Sequence, residues 1–241
     1  MKILTVGDSF TFGLELPDLP TGELDFFGRV TDEFYQNPKD VKPSKLAWPN
    51  LLAKKLQAHV KNISKPGASN DWIFKKTIQH VLVRKYDVVV VAWTCVDRYD
   101  FALGEKELQL SANNEYFAEA FPWFKHFVTD HYDFTLAYDK WICQALALEG
   151  FLKQRNVPYI FVNAITPHII YDSGDITSKL PFDFKNVFDH QFYLDWDSSL
   201  QEWCCGLPVG LGGHFLEEGH ELVASRLYDF IVNNIPLEKN K

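Results

Sequence analysis

The sequence has few cysteines and lacks several patterns that would indicate a metal centre, a membrane or a nucleic-acid partner. Its four cysteines show no metal-ligand spacing and no HExxH pattern occurs, so we expect no metal or other cofactor. The formal charge of -8 argues against a phosphate-binding surface, which makes nucleic acid an unexpected partner. The apolar runs are too short to cross a bilayer and no signal-peptide pattern is present. These features predict a cytoplasmic protein without a membrane partner, with reduced and mostly buried thiols.

The chain length suits one substantial domain rather than two. We predict a single domain over residues 1–241, because no internal repeat divides the sequence and 241 residues can bury a sizeable core. Aromatic residues are frequent at 15% and concentrate at about 99–131 and about 168–200, which we interpret as insertions. These insertions either line a substrate cleft or form a satellite core or subunit interface.

Apolar runs typical of buried strands alternate with amphipathic segments typical of helices. Strands are predicted at 2–7, 60–64, 86–93 and 157–165, and helices at 47–60, 71–84, 134–154 and 215–235. Residues 14–45 have the proline content of a loop. The alternation predicts an α/β protein with a flavodoxin-like three-layer α/β/α architecture and a mainly parallel sheet of about five strands.

Candidate site residues follow each predicted strand, at the sheet edge where open parallel sheets form their sites. They are Ser9 after the first strand, Gly67 and Asn70 after the second, Thr94 after the third and His168 after the fourth, with His214 just before the last helix. A serine, backbone N–H donors, an amide and a histidine are the components of an acyl-transfer site. The competing interpretations are that Ser9 only caps a helix and that His214 is an exposed loop residue.

Four segments are similar, in order and spacing, to one known family. They are "GDSFTFG" (7–13), "AWPNLLAKKL" (47–56), "NISKPGASND" (62–71) and "GGHFLEEGHELVASRLYDFI" (212–231). Together they resemble the SGNH, or GDSL-type, hydrolase family over nearly the whole chain. The resemblance implies that Ser9 is the nucleophile and His214 the general base, within hydrogen-bond reach of each other.

The same resemblance implies an oxyanion hole that contains the backbone N–H groups of Ser9 and Gly67. Asp8 would shape the turn that presents Ser9. The candidate substrate-binding residues are Asp8, Asp97, Arg98 and His168; Asp97 and Arg98 would either bind a polar group or pair with each other.

Two positions depart from the family pattern. Thr94 lies nearest to the expected asparagine of the oxyanion hole, so the third donor is either Asn70 or Thr94, and Asn70 is favoured because an amide reaches farther than a hydroxyl. Leu211 stands where the family has the aspartate that orients the histidine. We expect a backbone carbonyl of residues 209–213, or water, to replace it. The alternatives are carboxylates from Asp195, Asp197 or Glu218.

The sequence therefore predicts a serine hydrolase of the esterase or deacetylase type that acts on a small-molecule or carbohydrate ester, with an O-acylated carbohydrate as one candidate. One alternative is a binding or structural protein that has the SGNH fold and weakened catalysis. A second is an acyltransferase that uses the same serine and histidine. The oligomeric state cannot be derived from the sequence.

Overall fold

A computed structural model describes residues 1–19, 41–103, 106–167, 188–189 and 191–236. Its strands are β1 (Lys2–Val6), β2 (His59–Asn62), β3 (Val88–Trp93), β4 (Arg98–Leu103), β5 (Lys106–Ser111) and β6 (Tyr159–Asn163). Its helices are α1 (Ser9–Phe12), α2 (Trp48–Lys55), α3 (Asn70–Val83), α4 (Glu115–Ala120), α5 (Pro122–Asp130), α6 (Phe134–Gln154), α7 (Leu200–Trp203) and α8 (Glu217–Asn234).

A parallel sheet in the order β2-β1-β3-β6 forms the middle layer. Every residue of β3 and β6 is buried, as expected for strands covered on both faces. Alternate residues of β3 enter two separate cores: Val89 and Val91 pack with α3 and α6, and Val88 and Val90 pack with α2 and α8. The three-layer α/β/α architecture is therefore confirmed.

The described sheet has four strands where about five were predicted. Beside β6 the chain makes one isolated parallel bridge between Phe161 and Tyr193. The N–H of Phe161 donates to Phe192 O at 2.8 Å, and the N–H of Leu194 donates to Phe161 O at 2.9 Å. The neighbouring segment thus pairs over a single residue, which is too short to count as a fifth strand.

Two local predictions differ from the structure. The helix predicted over 47–60 ends at Lys55, because Gln57 adopts a left-handed conformation with φ of 50° that no helix can continue. The segment 99–131, which we interpreted as an irregular aromatic-rich insertion, contains the antiparallel hairpin β4–β5 and the helices α4 and α5.

The aromatic residues of this segment pack mainly on one another. Phe101 contacts Trp123, Phe124 and Phe127 with ring centroids 5.0 to 5.6 Å apart, and Tyr99 contacts Phe127 at 5.2 Å. Phe124 is fully buried. These contacts fit a satellite core, and the interpretation of 99–131 as an insertion stays a prediction. Residues 168–187 and 190 of the second insertion lie outside the described part of the chain.

The expectation for the cysteines is partly wrong. All four are free, but only Cys204 is buried, whereas Cys143 and Cys205 are exposed. Among the described residues, no helix is long and apolar enough to cross a membrane.

Candidate active site

Ser9 is the first residue of α1, which follows β1 after Gly7 and Asp8. The helix N-cap is Asp8, whose Oδ1 accepts a hydrogen bond from the N–H of Phe10 at 3.0 Å. Asp8 therefore has the capping role that was the competing interpretation for Ser9. This leaves the hydroxyl of Ser9 free to meet the loop that precedes α8.

His214 lies in that loop and faces Ser9. Its Nε2 is 2.8 Å from Ser9 Oγ, so the predicted hydrogen-bond geometry between the two residues is confirmed. The ring is fixed from one side by Phe10, whose centroid is 4.8 Å away. A bridge between Val209 and Phe215 closes the base of the loop. Ser9 is buried and the His214 side chain is only 13% exposed, so the pair is largely shielded from solvent.

The other ring nitrogen of His214 contacts a carboxylate that the sequence analysis did not name. Nδ1 of His214 is 2.7 Å from Oε2 of Glu15. Glu15 also accepts hydrogen bonds from the backbone N–H of Gly212 at 2.7 Å and of His214 at 3.2 Å. The expectation of a backbone carbonyl or water at this position is therefore wrong.

The proposed alternative carboxylates do not take this position either. Asp195 pairs with Arg226 at 3.5 Å, and the described hydrogen bonds and ion pairs of His214 include neither Asp197 nor Glu218. Glu15 reaches the histidine because Gly13 ends α1 in a left-handed conformation, with φ of 81°, and the chain turns back over the helix. The only signal in the sequence was an acid six residues after the candidate nucleophile, within a segment predicted to be a loop.

The hydrogen bonds around Glu15 determine its charge and the tautomer of His214. Burial alone would raise the pKa of the Glu15 carboxyl, but the hydrogen bonds from the His214 ring and from the two backbone N–H groups outweigh burial and lower it. An ionised carboxylate only accepts hydrogen bonds, so Nδ1 of His214 must carry a hydrogen. In the neutral imidazole, Nε2 is then unprotonated and can accept the proton of Ser9 Oγ.

Asp8 is buried and hydrogen-bonded to other residues of the protein. It has no exposed surface, and its Oδ2 accepts a hydrogen bond from Thr94 Oγ1 at 2.7 Å and one from Arg98 Nη1 at 3.3 Å. The buried carboxylate is thereby partnered on both oxygens. Arg98 pairs with Asp8 and not with Asp97, which is itself buried and accepts a hydrogen bond from Ser111 Oγ. These contacts give Asp8 and Asp97 partners within the protein, and their assignment to substrate binding stays a prediction.

The two candidates for the third oxyanion donor lie side by side. Asn70 Nδ2 donates to Thr94 O at 2.9 Å, and the N–H of Thr94 donates to Asn70 Oδ1 at 2.9 Å. The single hydroxyl hydrogen of Thr94 is used in its bond to Asp8, whereas the amide of Asn70 has a second hydrogen. The arrangement thus favours Asn70 over Thr94.

Gly67 is at the third position of a tight turn after β2. The N–H of Ala68 donates to Lys65 O at 3.1 Å, and Gly67 has φ of 72°, as the third residue of a type II turn requires. The N–H of Lys65 donates to Gly7 O at 3.1 Å, which holds this turn beside the segment that leads into Ser9. A Cβ atom added at Gly67 would meet no atom within 4 Å, so the turn borders open space.

His168 and His220 are the two other histidines to consider. His168 lies outside the described residues. His220 is buried on α8, where its Nδ1 accepts the N–H of Trp48 at 3.1 Å and completes the N-terminus of α2. Burial, together with the nearby His214, lowers the pKa of His220 to about 3, so it stays neutral in the core. Within the part of the chain that the structure describes, no group of three or more potential metal ligands is present.

Solved structures share this fold over nearly the whole chain. A protein assigned to the lipolytic G-D-S-L family from Desulfitobacterium hafniense matches with a TM-score of 0.53 and 12% identity, covering 95% of this chain and 98% of that one. The lipase/acylhydrolase from Enterococcus faecalis matches with a TM-score of 0.52 and 12% identity, covering 99% of both chains. The chain has the SGNH fold.

A third structure with the SGNH fold is a carbohydrate esterase family 2 enzyme with a carbohydrate-binding domain from Corynascus thermopiles. It matches with a TM-score of 0.57 and 13% identity, covering 98% of this chain and 67% of that one. No family model and no curated protein matches the sequence. At these identities the likeness establishes the SGNH fold alone.

Proposed function

We propose that this chain is a serine ester hydrolase in which Ser9 is the nucleophile and His214 the general base. The observation that carries the proposal is the 2.8 Å contact between Ser9 Oγ and His214 Nε2. A nucleophile within hydrogen-bond reach of an oriented base is the arrangement that activates a serine hydroxyl. The pair lies at the carboxyl end of β1, where open parallel sheets hold their sites.

The reaction has two steps, the acylation of Ser9 and the hydrolysis of the acyl-serine. Ser9 Oγ forms a bond to the ester carbonyl carbon while its proton moves to His214 Nε2. The tetrahedral intermediate then collapses, the carbon–oxygen bond to the alcohol breaks, and His214 returns the proton to the leaving oxygen. A water molecule attacks the acyl-serine in the same way, which releases the acid and restores the Ser9 hydroxyl.

The negative oxygen of each tetrahedral intermediate needs preorganised donors. We assign the backbone N–H groups of Ser9 and Gly67 and the second amide hydrogen of Asn70 to this role. No described residue accepts a hydrogen bond from the N–H of Ser9 or of Gly67, so both donors are available. The pair of hydrogen bonds between Asn70 and the backbone of Thr94 fixes the orientation of the amide.

For the substrate we propose a small acyl ester, with an O-acylated carbohydrate as the first class to test. The carbohydrate esterase with the same fold supports this choice, although its low identity carries no residue-level argument. The charge of -8 disfavours a polyanionic substrate, so nucleic acid is not expected. A cytoplasmic location remains a prediction of the sequence.

The alternative of a weakened, non-catalytic protein rested partly on the missing aspartate at position 211. The carboxylate of Glu15 beside His214 removes that argument, which supports the hydrolase over a binding protein. An acyltransferase would use the same pair and differs in the acceptor that attacks the acyl-serine. Transfer to added alcohols or sugars, measured against hydrolysis, separates these two activities.

The test is labelling and turnover of the purified protein. A fluorophosphonate probe should modify Ser9, as located by mass spectrometry, and p-nitrophenyl acetate should be hydrolysed. We expect Ser9→Ala to abolish labelling and to lower kcat by up to about 10⁶-fold, the loss found for the nucleophile of subtilisin. Ser225→Ala is the matched control, because Ser225 is half-buried on α8 and, among the described residues, its hydroxyl donates to Glu221 O of the same helix. Unchanged turnover in Ser9→Ala, with circular dichroism intact, would refute the proposal.

A further inference from the structure

The loop of His214 cannot supply the carboxylate that the SGNH resemblance leads one to expect. Leu211 stands at the position of the family's aspartate, and its side chain is 87% exposed. The contact to Nδ1 comes instead from Glu15, whose side chain is only 6% exposed. The position that normally holds the acid is therefore turned to solvent, and a carboxylate from elsewhere in the chain takes its place against the imidazole.

The loop is built around the Glu15 carboxylate. Oε1 accepts the N–H of Gly212, and Oε2 accepts both the N–H and the Nδ1–H of His214. The loop closes on itself through Gly210, whose N–H donates to His214 O at 2.8 Å. A Cβ atom at Gly210 would lie 2.6 Å from Glu15 Cδ, so only glycine allows the loop to approach this closely. Three converging donors hold the carboxylate in one orientation.

The backbone conformation of Glu15 also supports a functional role for this residue. Its φ of 69° lies in the left-handed region, which is uncommon for a residue with a side chain. Such conformations persist where the surroundings fix them, and they cluster at functional sites. The next residue, Leu16, anchors the turn: it is 1% exposed, and its N–H donates to Gly13 O at 3.3 Å. A buried anchor thus holds Glu15 in an unfavourable conformation that aims it at His214.

We propose that Glu15 is the acid of a Ser9–His214–Glu15 triad, so that the turn after the nucleophile supplies the group that usually precedes the histidine. This inference rests on the proposed hydrolase function. Glu15 is a positioning residue that acts through His214: it keeps the hydrogen on Nδ1 and stays ionised. When His214 takes the proton of Ser9, the carboxylate stabilises the imidazolium, and no proton moves to Glu15.

The test compares Glu15→Gln with Glu15→Asp and with Glu218→Gln, an exposed control on α8 that does not contact His214. We expect Glu15→Gln to lower kcat by up to about 10⁴-fold, the loss seen when a chymotrypsin-type triad loses its acid. KM should change less than kcat, because the substrate does not touch Glu15. Glu15→Asp keeps the charge but is shorter, so it should retain part of the activity. Glu218→Gln should match the unaltered protein.

Two further measurements separate this role from a merely structural one. Formate added to Glu15→Ala should restore turnover in a saturable way, because a small carboxylate can occupy the vacated space, and it should not affect the unaltered protein. The proton on Nδ1 of His214 should give a downfield NMR signal that is lost in Glu15→Gln. Equal kcat in Glu15→Gln and the unaltered protein, with Ser9 still labelled, would overturn the role of Glu15 alone. Absence of labelling in the unaltered protein would refute the hydrolase and this inference together.

Discussion

A methyl group added at Gly210 provides a sharp test of the contact between the loop and the acid. In Gly210→Ala the new Cβ would lie 2.6 Å from both Cδ and Oε1 of Glu15 and 2.8 Å from Oε2. Carbon atoms in contact normally keep about 3.5 Å or more, so the Glu15 carboxylate has to move by about 1 Å. Its 2.7 Å bond to Nδ1 of His214 would then exceed hydrogen-bond length.

The expected result is a large loss of activity with a small loss of stability. A displacement of 1 Å in a positioning group can lower turnover about 10²-fold, so we expect a decrease of that order in kcat for p-nitrophenyl acetate. The atoms that clash are the far end of a flexible side chain, so the fold can adapt. In urea denaturation we expect the free energy of unfolding to fall by only about 1–3 kcal/mol, because the hydrogen bonds to a charged group are weakened.

The control and the double variant identify the cause. Gly150→Ala lies within α6, where a Cβ meets no atom within 4 Å, so it should leave kcat unchanged and stabilise the protein by about 1 kcal/mol. In the Glu15→Gln background, Gly210→Ala should cause little further loss of kcat, because both changes act through the same carboxylate. Full activity in Gly210→Ala, or additive losses in the double variant, would refute the reasoning.

Two further outcomes follow from the same site. Leu211→Asp should leave kcat within about twofold of the unaltered protein, because residue 211 is 87% exposed and Glu15 already contacts Nδ1 of His214. A tenfold rise in kcat in steady-state assays would contradict this geometry. Asn70→Ala should lower kcat by about 10²–10³-fold, because an oxyanion donor is lost. Thr94→Val should lower kcat less, and its main effect should be a decrease of about 1.5–3 kcal/mol in the free energy of unfolding in urea. The reverse order of these two kcat losses would transfer the donor role to Thr94.

The central layer of the fold could be predicted from the sequence because its signals are local. The unbroken β-branched run of β3 indicated burial on both faces, and the periodicity of α6 gave both of its ends at Phe134 and Gln154. The end of α2 could not be predicted in the same way. It depends on the left-handed backbone of Gln57, a residue type that carries no turn signal. The hairpin β4–β5 was missed although polar and apolar residues alternate in both strands, because the whole segment was interpreted as an irregular aromatic-rich insertion.

The candidate site, like the fold, could be predicted from the sequence only in part. The placement of Ser9 and His214 followed from motif order and strand ends, which the sequence displays directly. Two features could not be predicted in this way. One is the role of Asp8 as a buried helix cap, and the other is the identity of the carboxylate that contacts Nδ1 of His214. A carboxylate in a loop can meet many partners, and only the turn at Gly13 and the anchor at Leu16 determine that Glu15 meets His214. That information is distributed over two segments about 200 residues apart.

This separation has a consequence for how the site is assembled. The serine and its proposed acid lie within the first 15 residues and come together through one turn of chain, whereas the histidine joins them across 199 to 205 positions. Closing so long a loop is entropically costly until the intervening sheet and helices have formed. Ester turnover would thus be an end-point signal of folding, absent from any intermediate in which the last loop has not yet docked on the first turn.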